Sequence, residues 1–268
     1  MTRILIPTDF SANAMHAATY ATQLFGIEDA TYVLVHSHFD PGVGSPLAPF
    51  QLPELIKAAE EGLATVAKQF VQRTGARSVE QHVLYGALAP ALNEFMKEKK
   101  TDLVVMGKRG STGSALFGSN TTDVLKTSSV PVLAVPEKAL LRPLKRILLA
   151  DDHDEVLPES LDMLRIIALR QKAEIIVSHM PVGITEGEDH WSNGLYAIAL
   201  KGIPHSFIEG YGHDVVDGIE RTAHKRGADM VAVLHRHRGL LDRILHTSTA
   251  KELALELDMP LLVLEQKA

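Results

Sequence analysis

The chain of 268 residues contains no cysteine, so disulfides, thiolate catalysis and cysteine-bound zinc are excluded at once. It has no excess of positive charge either. The formal net charge is −6 and the sequence pI about 6.1, which argues against broad binding to nucleic acid, because phosphate neutralisation needs clustered Lys and Arg. No apolar run approaches the length of a membrane span. The opening MTRILIPTDF enters a strand pattern directly, without a signal-peptide core before it, so a cytoplasmic protein with no membrane partner is expected. Catalytic constellations are missing as well. Ser111, Ser114 and Ser119 have no His–Asp pair placed by sequence to activate them, and no paired carboxylates suggest acid–base work. What remains is ordinary globular composition, 46% apolar and 22% charged.

The sequence is written twice. RILIPTD at residues 3–9 matches RILLADD at 146–152, an offset of 143 that also brings ATYVLVHS (30–37) onto AEIIVSHM (173–180) and His36 onto His179. TDLVVMG (101–107) resembles ADMVAVL (228–234), and VPVLAVPE (130–137) resembles MPLLVLEQ (259–266). Four blocks in the same order imply duplication, with domains at 1–138 and 145–268 and KALLRPLK (138–145) as the linker.

Within the first half, short apolar runs alternate with helical patterns. ILIPT precedes a helix that Ser11 can cap and Gly26 can end; YVLVHS precedes a long amphipathic helix opening at Pro53 and ending at Gly75, whose PELIKAAEEG stretch reads as a solvated face. VEQHVLYG alternates and so belongs near a sheet edge, while DLVVMG and VPVLAVP are continuously apolar. The second half repeats the plan, with PVGITEGEDHWSNGLYAIALKG its least readable part and no role assignable to Trp191. The fold class expected is α/β: two tandem doubly wound, Rossmann-like parallel sheets of strand order 3-2-1-4-5.

The run MGKRGSTGSALFGSN (106–120) holds four glycines at the end of an apolar strand. So much bare backbone suits close approach by an anion. A dinucleotide fingerprint is ruled out, because the first strand is followed by PTDFS with no glycine. A Walker A loop is disfavoured: Gly113 and Gly118 have its spacing, but Ser119 and Asn120 stand where Lys and Ser/Thr belong, and without that lysine the γ-phosphate loses its charge partner. In the order 3-2-1-4-5, strands 1 and 4 meet at the switch point. The glycine loop and the turn Pro7-Thr8-Asp9 would then flank one crevice, with Gly118-Ser119-Asn120 opening a helix whose free N–H groups favour phosphate. Asp9 could accept a hydrogen bond from an adenine amino group or a ribose hydroxyl; its other reading is a bond to a nearby loop N–H.

Strand-PTDFS, strand-His36 and DLVVMG-x-x-G…GSNT…PVLAVP together resemble the universal stress protein family, over essentially the whole chain as two tandem domains. The resemblance implies ATP or another adenine nucleotide, with Mg²⁺ as an optional companion, contacted by Asp9, Ser37, Met106, Gly107, Arg109, Gly110, Gly118, Ser119 and Asn120. It also implies an internal pseudo-dimer and nucleotide-dependent binding or signalling to a protein partner. The family's ATP-binding members carry G-x2-G-x9-G-[ST]. Here Gly107-x2-Gly110 is followed by seven residues before Gly118-Ser119, so the loop is two residues short. The second half keeps Asp152 but places Leu234, His237 and Thr247 where glycines belong, and is expected to bind ATP poorly or not at all. Two alternatives stay open: a nucleotide-free interaction protein and a slow adenine-nucleotide hydrolase. His235-Arg236-His237-Arg238, with His246 nearby, reads as a basic patch rather than a metal site, because adjacent arginines oppose a cation. His36 and His179 each end a strand and are expected to make buried hydrogen bonds.

Overall fold

The computed structural model describes residues 1–38, 48–108, 119–151, 156–179, 191–210, 215–235 and 258–266. The chain divides into two compact units, Met1–Glu137 and Lys138–Ala268.

In the first unit the chain runs β1 (Thr2–Pro7), α1 (Ala12–Phe25), β2 (Ala30–His38), α2 (Ala48–Thr74), β3 (Val79–Tyr85), α3 (Leu88–Glu98), β4 (Leu103–Gly107), α4 (Ser119–Thr127) and β5 (Val132–Val135). The strands are parallel and lie in the order β3-β2-β1-β4-β5, as the sequence pattern predicts. Ile4, Leu5 and Ile6 of β1 and Val104 and Val105 of β4 are fully buried, as central strands covered on both faces must be, and Leu133 and Ala134 of β5 are fully buried too. β3 is half-exposed along its length, in keeping with its edge position. Tyr32 and Phe70 meet edge-to-face at 5.5 Å and anchor α2 to the sheet.

Helix ends follow local chemistry. The Ser11 hydroxyl accepts the Ala14 N–H at 3.2 Å and starts α1; Gly26, at φ +79°, ends it. One boundary differs from the sequence reading: α2 opens at Ala48, five residues before Pro53. Pro49 falls in its first turn, where a missing N–H costs nothing and a fixed φ favours the helix, and Pro53 is carried inside.

The second unit repeats this order with β6 (Arg146–Asp151), a 3-10 turn at Pro158–Leu161, α5 (Asp162–Gln171), β7 (Glu174–His179), α6 (Trp191–Ala199), β8 (His205–Glu209), α7 (Val215–Arg226), β9 (Met230–His235) and β10 (Leu261–Glu265). Its strands are parallel in the order β8-β7-β6-β9-β10, the same winding as the first unit. The hard-to-read segment resolves in part, since α6 lies within it. The duplication extends to single hydrogen bonds. Asp102 accepts the Arg3 N–H at 2.8 Å and its own N–H donates to the Arg3 carbonyl; Asp229 treats Arg146 in the same way, at 3.1 Å and 2.9 Å. Each aspartate thus fixes the start of its unit's first strand against its fourth.

Candidate functional site

The first unit's crevice begins with proline chemistry. The Thr8 N–H donates to the Val35 carbonyl on β2 at 2.8 Å. Amide groups alternate sides along a strand, so the preceding position, Pro7, faces β4 and offers no donor there. The β1–β4 ladder runs through Ile4↔Leu103 and Leu5↔Val104, whereas β1–β2 pairing continues to Pro7↔Val35. Pro7 therefore ends the ladder between β1 and β4 at their carboxyl ends, where a doubly wound sheet offers its crevice.

Beyond it the chain turns sharply. Thr8 is buried, and its hydroxyl accepts the Phe10 N–H at 3.0 Å. Asp9 is exposed, and its Oδ1 accepts the Ser11 N–H at 3.1 Å. The loop-capping role foreseen for Asp9 is real, and it coexists with exposure just past the carboxyl end of β1. Phe10 carries φ +65°, uncommon for a bulky residue. His36, at the end of β2, donates from Nδ1 to the Thr8 carbonyl at 2.8 Å and stacks on the Phe10 ring at 4.2 Å. It is half-buried rather than buried as expected, because β2 there runs past the end of β1 and is paired with β3 alone.

The other predicted residues of this unit are arranged around neighbouring strand ends. The Ser37 hydroxyl donates to the Gly86 carbonyl at 2.6 Å, tying β2 to the turn after β3. Met106 is buried and Gly107 half-buried; they lie opposite Ala134 and Val135. Lys108, which follows Gly107, is buried, and its N–H donates to the Val135 carbonyl at 2.8 Å. Ser119 and Asn120 open α4, with Asn120 exposed. Arg109, Gly110 and Gly118 lie outside the described residues. Thr121 was not anticipated. It is buried and donates from its hydroxyl to the Gly107 carbonyl at 3.0 Å, so it fastens the first turn of α4 to the end of β4. The signal for it, a second hydroxyl residue after Gly118-Ser119-Asn120, was present in GSNT.

The second unit is built differently at the same place. At the repeat offset, Thr8 corresponds to Asp151 and His36 to His179. Asp151 is buried; its Oδ2 lies 2.8 Å from Nδ1 of His179, and its Oδ1 accepts the Tyr196 hydroxyl of α6 at 2.5 Å. His179 meets the expectation of a buried hydrogen bond. Leu234 is buried at the end of β9, opposite Leu264. His235 Nδ1 lies 3.0 Å from Glu265 Oε2. Asp152, His237, Arg236, Arg238, His246 and Thr247 lie outside the described residues. Among the described residues no group of three or more metal-binding side chains gathers, and no helix is long and apolar enough to cross a membrane.

The fold defines a tandem α/β protein with two doubly wound units, the first with an exposed aspartate in the turn after β1. The model of the universal stress protein family matches residues 1–136 and again 143–265, and the chain belongs to that family. Universal stress protein MJ0531 of Methanocaldococcus jannaschii is 33% identical over 138 residues, 50% of this chain and 81% of that protein. Universal stress protein Rv1636 of Mycobacterium tuberculosis is 29% identical over 140 residues, 49% of this chain and 94% of that protein. A universal stress protein from Archaeoglobus fulgidus superposes with a TM-score of 0.74 at 19% identity, covering 98% of this chain and 96% of that one, a likeness of fold.

Proposed function

We propose that the first unit binds an adenine nucleotide, ATP foremost, at the carboxyl ends of β1 and β4, and that occupancy changes the surface presented to a protein partner. One observation carries this reading: Pro7 ends the β1–β4 ladder beside the exposed Asp9, and at the end of β4 the Thr121 hydroxyl fastens the opening turn of α4 to the Gly107 carbonyl. In the proposed complex Asp9 accepts a hydrogen bond from the adenine amino group or a ribose hydroxyl. Backbone N–H groups of Gly107, Arg109, Gly110, Gly118, Ser119 and Asn120 face the phosphates, with Mg²⁺ as companion cation, and Ser37 and Met106 line the nucleoside end. In this reading the chain's own groups bind and orient the nucleotide. In the second unit Asp151 is engaged by His179 and Tyr196, which supports a role other than ATP binding there. We place the protein in the cytoplasm, with its functional division at 1–138 and 145–268.

A ligand that binds only the native state must stabilise it, so thermal unfolding with increasing Mg-ATP tests the proposal. A midpoint that rises with nucleotide concentration is expected. A midpoint that stays fixed up to millimolar Mg-ATP would favour the nucleotide-free interaction protein, a reading that the short loop between Gly110 and Gly118 supports.

A further inference from the structure

We propose that Phe10 is a positioning residue that holds Asp9 at the mouth of the crevice, and that Gly62 of α2 lacks a side chain in order to seat the Phe10 ring. A left-handed backbone is disfavoured for a bulky residue because Cβ crowds the following carbonyl, so φ +65° at Phe10 must be held by its surroundings. Three elements supply the hold. The His36 imidazole of β2 stacks on the ring at 4.2 Å with an interplanar angle of 23°, and its Nδ1–H is fixed on the Thr8 carbonyl at 2.8 Å. The ring also lies against Gly62: a Cβ there would fall 3.0 Å from Phe10 Cζ and 3.1 Å from Cε2. Finally, the turn's own amides are engaged, Phe10 N–H by the Thr8 hydroxyl and Ser11 N–H by Asp9.

Glycine inside a helix lowers its stability, so Gly62 calls for a reason, and the ring supplies one. The consequence concerns Asp9. It precedes the left-handed residue, and the direction of its carboxylate follows from the turn that Phe10 locks. The function assigned to Phe10 rests on the nucleotide reading; the clamp itself rests on geometry.

The test uses the full chain with Phe10→Ala, Phe10→Gly, Phe10→Tyr and Gly62→Val, measuring Mg-ATP affinity and hydrogen exchange of the Phe10 and Ser11 amides. Phe10→Ala, Phe10→Gly and Gly62→Val should each weaken Mg-ATP by about tenfold, while Phe10→Tyr, which keeps the ring, stays within about twofold. Because Phe10 acts through Asp9, Phe10→Ala added to Asp9→Ala should cost less than about twofold more, the non-additivity of groups that work as a unit. Full affinity in Phe10→Ala, or losses that multiply independently with Asp9→Ala, overturns the proposal. Should the wild-type chain bind no Mg-ATP, the nucleotide reading falls and the exchange data decide the clamp. Amide exchange that quickens by about tenfold in Gly62→Val then sustains it, and unchanged exchange refutes it.

Discussion

His179 and Asp151 face each other in register on β7 and β6, with imidazole Nδ1 2.8 Å from the carboxylate and both side chains buried. The equivalent pair in the first unit is His36 and Thr8, where the imidazole bonds a main-chain carbonyl instead. One substitution between the halves, threonine for aspartate, thus separates a neutral strand exit from one built around an acidic group. Burying that group requires partners, and Tyr196 supplies one from α6.

Tyr196→Phe should therefore destabilise the protein by about 1.5–3 kcal/mol, the range for a hydrogen bond to a charged group. The ring remains to fill its space, so the loss isolates the hydroxyl. Urea unfolding of the full chain measures it. A change below about 0.5 kcal/mol would mean that the hydroxyl contributes nothing net to holding α6, as expected only of changes away from buried networks.

A second prediction concerns pH. The Arg3 guanidinium grips Glu80 through two hydrogen bonds of 2.6 Å and, with the partly opposing cost of burial, holds its carboxyl below the ordinary glutamate value. A carboxyl depressed on folding stabilises the native state above its unfolded pKa, and that contribution disappears as pH falls through the folded value. Glu80 is 40% exposed, so solvent screening limits the pair to about 0.2–1 kcal/mol. Glu80→Gln should be less stable than wild type by that amount at neutral pH and equal to it once the pH has dropped below the folded value. A gap that persists unchanged in acid would show that the loss is steric.

Asp9→Ala separates binding from folding. Asp9 is exposed and makes one local bond to Ser11, so stability should change by no more than about 0.5 kcal/mol. Loss of a carboxylate acceptor for the nucleoside should weaken Mg-ATP by about 10- to 100-fold, as removal of a charged hydrogen bond does. Calorimetric titration reads the affinity and thermal unfolding the stability. Equal affinity in the variant would place the nucleoside elsewhere.

Much of this was legible in the residues themselves. Continuous apolar runs such as DLVVM mark strands buried on both faces, the alternation in VEQHVLY marks the edge, and the repeated RILIPTD and RILLADD announce the second unit. Also legible was the strand order that sets the ends of β1 and β4 side by side. What the sequence did not disclose depends on which way side chains point. Asp152 drew attention because it matches Asp9, but Asp151 is the residue whose carboxylate turns inward to His179 and Tyr196. Tyr196 is 45 residues away from Asp151 and belongs to no recognisable pattern with it. Thr121 and Gly62 matter through contacts across the unit, with the Gly107 carbonyl and the Phe10 ring, which no local periodicity encodes. The start of α2 was missed because Pro53 reads as a first-turn proline, a role that Pro49 takes.

The central claim is that the first unit holds an adenine nucleotide, and the most direct measurement is to denature freshly purified protein and identify what it releases by mass and ultraviolet absorbance. The account predicts ATP or ADP at close to one equivalent per chain, reduced in Asp9→Ala. Protein that releases no nucleotide, and whose unfolding does not respond to added Mg-ATP, would contradict it.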